Sequence, residues 1–212
     1  RTMKYVVEHM EESVDNWVEC EYKRIVADCG GANVIFTNMK PGVNCPAYDE
    51  LTFLSGATLI SESFEEFYGT AADKKRVCLL DEVAEKDLEP SDAGEFDYFL
   101  FGGILGNVDE LDADRTKVLR IQEYSIRRLG KKQMTPPTAV CVTNLILEKQ
   151  RTFETLEFID RPEFDTDYDA EKLIMPFLYL KGDDGKPIMA DGVLDILKSD
   201  LDWDLSDLQG EL

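Results

Sequence analysis

Phe96-Asp97-Tyr98-Phe99-Leu100-Phe101-Gly102-Gly103 is the stretch on which the fold turns. Four large apolar residues follow one another without alternation and then meet two glycines. A run this short and this apolar reads as a strand buried on both faces, the kind found in parallel sheets covered by helices. Shorter runs of the same kind surround it: Tyr5-Val6-Val7, Val34-Ile35-Phe36-Thr37, Val77-Cys78-Leu79-Leu80-Asp81 and Ser125-Ile126-Arg127-Arg128-Leu129-Gly130. Helical patterns lie between them. Val14, Trp17, Val18, Tyr22, Ile25, Val26 and Cys29 recur at helical spacing, with Ser13 as the expected N-cap and Gly30-Gly31 as the stop. A second helix is predicted from about Tyr48 to Ile60. Another starts at Thr135-Pro136, with Ala139, Val142, Leu145 and Ile146 on its apolar face. Strands alternating with helices predict an α/β fold, a parallel sheet flanked by helices.

After residue 152 the pattern changes. Leu156–Asp160 and Met175–Leu180 read as a strand pair, Asp183-Asp184-Gly185 as a turn, and Val193–Leu201 as a last helix. The expected organisation is a core over residues 3–152 and a C-terminal extension over 153–212.

The chain has 212 residues and a formal net charge of -21, from 44 acidic and 23 basic residues. That field repels polyphosphates and argues against direct RNA binding; it attracts a cationic partner, or simply keeps the protein soluble. No apolar run is long enough to cross a membrane, so no membrane partner is expected. Five cysteines, Cys20, Cys29, Cys45, Cys78 and Cys141, form no C-x-x-C pair, which predicts reduced thiols in the cytosol or nucleus, of which a cytoplasmic setting is the one expected. His9 is the one histidine, so no multi-histidine metal site is expected. Asp165-x-Asp167-x-Asp169 imitates the opening of a calcium loop, but Ala170 and Pro176 stand where glycine and glutamate are required. Phosphate-loop and dinucleotide fingerprints are absent.

Three strand exits are suited to close ligand approach. They are Leu79-Leu80-Asp81, the segment Gly102-Gly103-Ile104-Leu105-Gly106-Asn107, and Arg128-Leu129-Gly130-Lys131-Lys132-Gln133-Met134-Thr135. Ligands of parallel α/β sheets bind at the carboxyl ends of strands, and glycine lets backbone approach a flat ligand. Leu80, Leu105, Leu129 and Met134 offer apolar walls. A bulky residue at Gly103 or Gly130 is expected to block a ligand more than it destabilises the fold.

Met3-Lys4-Tyr5-Val6-Val7-Glu8-His9-Met10-Glu11-Glu12 resembles the opening of the fungal SPOUT-class protein arginine methyltransferases. So do the Phe96–Gly106 block, Asp114-Arg115-Thr116, Arg127–Thr135, Pro162-Glu163-Phe164, Met175-Pro176-Phe177 and Gly185-Lys186-Pro187-Ile188. The resemblance covers nearly the whole chain from Met3 and is weakest from Lys40 to Lys75. It implies a SPOUT fold with a C-terminal trefoil knot, S-adenosylmethionine as cofactor, and an arginine of a basic small-subunit ribosomal protein as acceptor. It also implies a monomer with its C-terminal segments packed onto the core. Carried over by position, the cofactor-binding residues are Leu79, Leu80, Asp81, Gly102, Gly103, Ile104, Gly106, Leu129, Gly130, Gln133, Met134, Thr135 and Ala139.

An arginine acceptor carries a guanidinium with a pKa above about 12, a poor nucleophile until a proton leaves. Carboxylates can hold it and accept that proton. The candidates are Glu8, Glu11 and Glu12 after the first strand, and Asp109, Asp112 and Asp114 after the glycine loop. Asp114 stands first and Arg115 is its expected partner. Arg127 or Arg128 either meets the cofactor's carboxylate or forms a structural ion pair, and His9 is either a base or a loop residue. Two other functions compete with arginine methylation. A SPOUT RNA methyltransferase needs a basic path, for which Arg127, Arg128, Lys131 and Lys132 are the obvious cluster. A non-enzymatic acidic binder of ribosomal proteins needs no cofactor at all.

Overall fold

The computed structural model describes residues 3–68, 74–103, 116–120, 122–166 and 172–199. Six strands, β1 (Lys4–His9), β2 (Val34–Thr37), β3 (Thr58–Leu59), β4 (Val77–Leu80), β5 (Tyr98–Gly103) and β6 (Ser125–Arg127), form one sheet in the order β3-β2-β1-β5-β4-β6. Every pairing in it is parallel.

The apolar runs explain this architecture. Alternate residues of each strand point to opposite faces. On one face Tyr5, Val7, Val34, Phe36, Cys78, Phe99 and Phe101 join a large core with α1 (Asn16–Cys29) and α4 (Pro136–Leu147). On the other, Val6, Ile35, Val77, Leu79 and Leu100 pack with Phe64 of α2 (Phe64–Tyr68), Leu119 of α3 (Lys117–Arg120) and Tyr124. Both faces are covered, so strands without alternation are what the sheet requires.

Several local expectations shift. The first strand does not give way to a loop at Glu8. It continues through Glu8 and His9, which pair with Gly102 and Gly103 of β5. Asp15, not Ser13, caps α1: its backbone is extended and its Oδ1 accepts from the Val18 amide at 2.9 Å. The predicted helix over Tyr48–Ile60 is absent. That stretch is a series of turns with one 3-10 turn at Thr52–Leu54 and then β3 at the sheet edge. Gly31 sets its position: a Cβ there would lie 2.7 Å from the Ser55 carbonyl oxygen, so the two backbones touch. Tertiary contact overrides the helical spacing of isolated apolar residues.

Beyond α4 the predicted strand pair is present but short. β7 (Phe158–Asp160) runs antiparallel to β10 (Leu178–Leu180), and a second antiparallel pair, β8 (Glu163–Asp165) with β9 (Lys172–Ile174), lies between them in sequence. Residues 193–199 are helical, within the predicted last helix. These segments are packed on the sheet's α1/α4 side. Leu180 is buried in the main core, Trp17 of α1 joins Met175, Phe177 and Tyr179, and the Leu178 amide donates to the Gln133 carbonyl at 2.9 Å. No helix among the described residues is long and apolar enough to cross a membrane. All five cysteines are free, and burial raises the thiols of Cys29 and Cys141 to about 12.

Phe99 sits fully buried on β5, one of the two central strands of the sheet, in ring contact with Tyr5 and Phe96. Phe99→Ala is expected to lower stability by about 3–5 kcal/mol, read from urea denaturation.

Candidate functional site

The sheet order places the carboxyl ends of β5, β4 and β6 side by side. The three strand exits singled out in the sequence therefore converge on one edge. Leu80 and Met134 lie there half-buried, Leu129 is buried, and Ala139 is half-buried on the second turn of α4. Leu79 differs: its side chain is wholly in the core of the opposite face. Thr135 begins α4 with its hydroxyl bonded to that of Thr138 at 3.0 Å, and Gln133 is exposed with its carbonyl engaged by Leu178. Ile104, Gly106, Asp109, Asp112, Asp114 and Arg115 lie outside the described residues.

The glycines at these exits serve the fold as well as any ligand. A Cβ on Gly103 would sit 2.7 Å from the Glu8 carbonyl oxygen and 2.8 Å from the Tyr22 hydroxyl. Gly130 has φ +72°, and a Cβ there would lie 2.6 Å from the ring of Phe153. Bulk at either position therefore carries a cost to the fold itself, whatever it does to a ligand.

At the end of β1 two polar side chains, Glu8 and His9, are buried. Glu8 accepts from the Thr37 hydroxyl and from the Phe64 amide at 2.9 Å, and burial raises its pKa. His9 Nε2 donates to the Asn44 carbonyl at 3.2 Å, so Nδ1 accepts from the Tyr22 hydroxyl at 2.8 Å. Burial lowers the His9 pKa and keeps the ring neutral. His9 is thus a strand residue with both nitrogens engaged, neither a loop residue nor an available base. Glu11 is half-buried just beyond and Glu12 is exposed.

One acid on α1 escaped the sequence reading. Glu21 is 3% exposed. Trp17 Nε1 donates to its Oε1 at 3.0 Å, while Oε2 has no hydrogen-bond partner. Burial, with the charges of Asp15 and Glu11 adding to it, raises the Glu21 pKa to about 8. The signal was available: Val18, Glu21, Tyr22 and Ile25 share the buried helix face, so an ionisable residue stands in a core-facing position.

Comparison with known proteins accounts for this arrangement. The profile of the family described as protein arginine N-methyltransferase SFM1-like matches residues 4–204. The chain belongs to that family. It is 40% identical over 214 residues to protein arginine N-methyltransferase SFM1 of Saccharomyces cerevisiae, covering 97% of this chain and 99% of the relative. The crystal structure of the yeast SFM1 arginine methyltransferase complexed with SAM superposes with a TM-score of 0.82 at 39% identity, over 94% of this chain and 92% of that one. A Trm10 from Thermococcus kodakaraensis shares the fold alone, with a TM-score of 0.51 at 14% identity, over 71% of this chain and 95% of that one.

Within this SFM1-like chain the charges near the exits are largely paired. Asp81, buried, accepts two hydrogen bonds from the Arg120 guanidinium, the Nη2 contact at 3.0 Å. Arg127 stacks over Phe96 at 5.1 Å and pairs with buried Asp92 at 3.0 Å and with Glu95 at 3.4 Å. Arg128 pairs with Asp87 at 2.7 Å, and Lys132 with Asp160. Arg127 and Arg128 are thus structural ion pairs, and three of the four cations expected to form a basic path are matched by acids. Among the described residues no group of three or more metal-ligating side chains could hold a metal ion. An edge with half-buried Leu80, Met134 and Ala139, glycine backbone and most of its described cations already paired fits a flat, largely apolar adenosine better than a polyphosphate.

Gly103→Ala and Gly130→Ala are each expected to cost about 1–3 kcal/mol of stability, measured by urea unfolding, because each forces a contact or a backbone angle that a Cβ disfavours. Glu21 sets a pH dependence. Folded, it keeps its proton to about pH 8; unfolded, it loses it near the ordinary 4.5. The folded state then binds more protons between these values, so this group makes stability fall as pH rises through that window. Thermal melts at about pH 5 and pH 8 should show a smaller loss for Glu21→Gln than for the parent chain.

Proposed function

We propose that this chain is an S-adenosylmethionine-dependent protein arginine N-methyltransferase whose acceptor is a basic protein of the small ribosomal subunit. The observation that carries the reading is the SFM1-like family match across residues 4–204, which spans all three converging strand exits. The yeast relative is named a protein arginine N-methyltransferase, and its structure was solved complexed with SAM.

When bound, S-adenosylmethionine supplies a methyl group activated on a sulfonium. On this reading Leu79, Leu80 and Asp81, Gly102, Gly103, Ile104 and Gly106, and Leu129, Gly130, Gln133, Met134, Thr135 and Ala139 would hold it. Leu80, Met134 and Ala139 offer apolar contact, and the glycine backbone gives close approach. Asp81, held by Arg120, orders the β4 exit rather than reaching outward. Residues 3–152 form the donor-binding core, and 153–212 an extension that closes the α1/α4 side and keeps the protein monomeric. The trefoil knot and a cytoplasmic location belong to the same reading.

Methyl transfer to arginine needs positioning and loss of one guanidinium proton. Asp114 is the proposed acceptor of that proton, with Arg115 steadying it and Glu11 and Glu12 making the approach acidic. The net charge of -21 favours a basic protein over RNA as the partner. In the rival RNA reading the basic cluster would face phosphates, but Arg127, Arg128 and Lys132 are already paired with acids.

Incubation with methyl-labelled cofactor and a mixture of ribosomal proteins and RNA should place label on arginine of a small-subunit protein. Label on RNA alone would reject the proposal. Asp114→Asn should cut turnover about 100-fold and leave cofactor affinity, by calorimetry, unchanged.

A further inference from the structure

The three strand exits assigned to the methyl donor are not held alike. Arg120 fixes the β4 exit through Asp81, and the β5 exit is fixed where Gly103 lies against Glu8 and Tyr22. The β6 exit, residues 129–134, has no helix or strand of its own. Among the described residues its backbone makes one hydrogen bond, accepted by the Gln133 carbonyl from the Leu178 amide at 2.9 Å. Leu178 belongs to β10, in the C-terminal extension. Two side-chain contacts come from the same extension. Asp160 at the end of β7 pairs with Lys132, and the Phe153 ring lies against Gly130.

We propose that the C-terminal extension positions this exit for the methyl donor, and that Phe153 is the positioning residue through which it acts. The inference rests on the methyltransferase reading and gives a part in donor affinity to residues outside the donor-binding core.

Geometry singles out Phe153. A Cβ on Gly130 would lie 2.6 Å from its Cζ, 2.9 Å from Cε1 and 3.4 Å from Cε2, so the far tip of the ring points at the glycine. Gly130 has φ +72°, so the chain turns where the ring meets it. The ring is itself held. It packs against the main core and stacks on Phe158 of β7, with centroids 4.8 Å apart. It also opens a 3-10 turn, Phe153–Thr155, braced by Arg151, whose Nη2 donates to the Thr155 carbonyl at 2.8 Å. Lys132 and Asp160 are both exposed, and an exposed ion pair adds little.

Populations link this contact to affinity. A segment with one backbone hydrogen bond opens locally unless its neighbours prevent it. The apparent Kd of a ligand is its intrinsic value divided by the fraction of molecules already competent to bind. Phe153 keeps that fraction high by holding Gly130 in place. Loss of the contact weakens donor binding without removing any donor contact, and excess donor restores the competent path by selecting it.

Two variants of the full chain test this. Phe153→Leu removes the ring tip. Phe153→Tyr keeps the ring and its stacking but adds an oxygen on Cζ, toward Gly130. Each should raise the S-adenosylmethionine Kd, by calorimetry, about tenfold. At saturating donor, with total small-subunit ribosomal protein as acceptor, turnover and acceptor KM should return to within about twofold of the parent. An unchanged Kd in either variant overturns the inference and leaves the methyltransferase reading standing. So does a loss of turnover that saturating donor fails to restore, because that marks general damage to the fold. A parent chain that binds no S-adenosylmethionine overturns the functional reading and this inference together.

Discussion

Where β5 leaves the sheet, the Gly103 backbone lies against the Glu8 carbonyl and the Tyr22 hydroxyl, with no room for a Cβ. This contact ties β1, β5 and α1 into one rigid corner. Tyr22 in turn donates to His9, and His9 to Asn44, so the buried polar groups of the corner are satisfied in a chain. The exits of β4 and β6 lie beside it in turn, held in register by the parallel ladders β5–β4 and β4–β6. Methyl transfer depends on close mutual placement of donor and acceptor, which a tightly packed sheet favours over a mobile one.

Much of the fold was legible because the strands are buried on both faces. Unbroken apolar runs at Val34–Thr37, Val77–Leu80 and Tyr98–Phe101 have few other readings, and their glycine or aspartate ends marked the ligand edge. The stretch from Tyr48 to Ile60 was misread because its path is dictated by backbone contact with Gly31, which no local pattern reveals. Glu8 and His9 were assigned to a loop because polar residues ordinarily end a strand. Their partners, Thr37, Phe64, Tyr22 and Asn44, come from four distant places. Glu21 was missed for a related reason: a buried acid looks like a surface residue unless the helix face is counted strictly.

Electrostatics divides the molecule into two regimes. At the donor edge nearly every cation has its acid, so the local field there is mild despite the overall charge. On the α1 side, acids outnumber cations and one of them is stripped of water. The first regime suits a ligand that is mostly flat and apolar; in the second, burial keeps one carboxyl protonated up to about pH 8.

The seam between α1, the start of α4 and β10 joins parts of the chain made far apart in time. Glu21 emerges early in synthesis, whereas Tyr179 and Val193, which line the same seam, come near its close. The sheet and its α1 face can form before them, but the seam has no far wall until β10 docks. Such long-range closure is slow compared with helix or hairpin formation. A nascent or truncated chain that stops short of β10 would therefore form the sheet yet leave Glu21 and its neighbours on α1 uncovered.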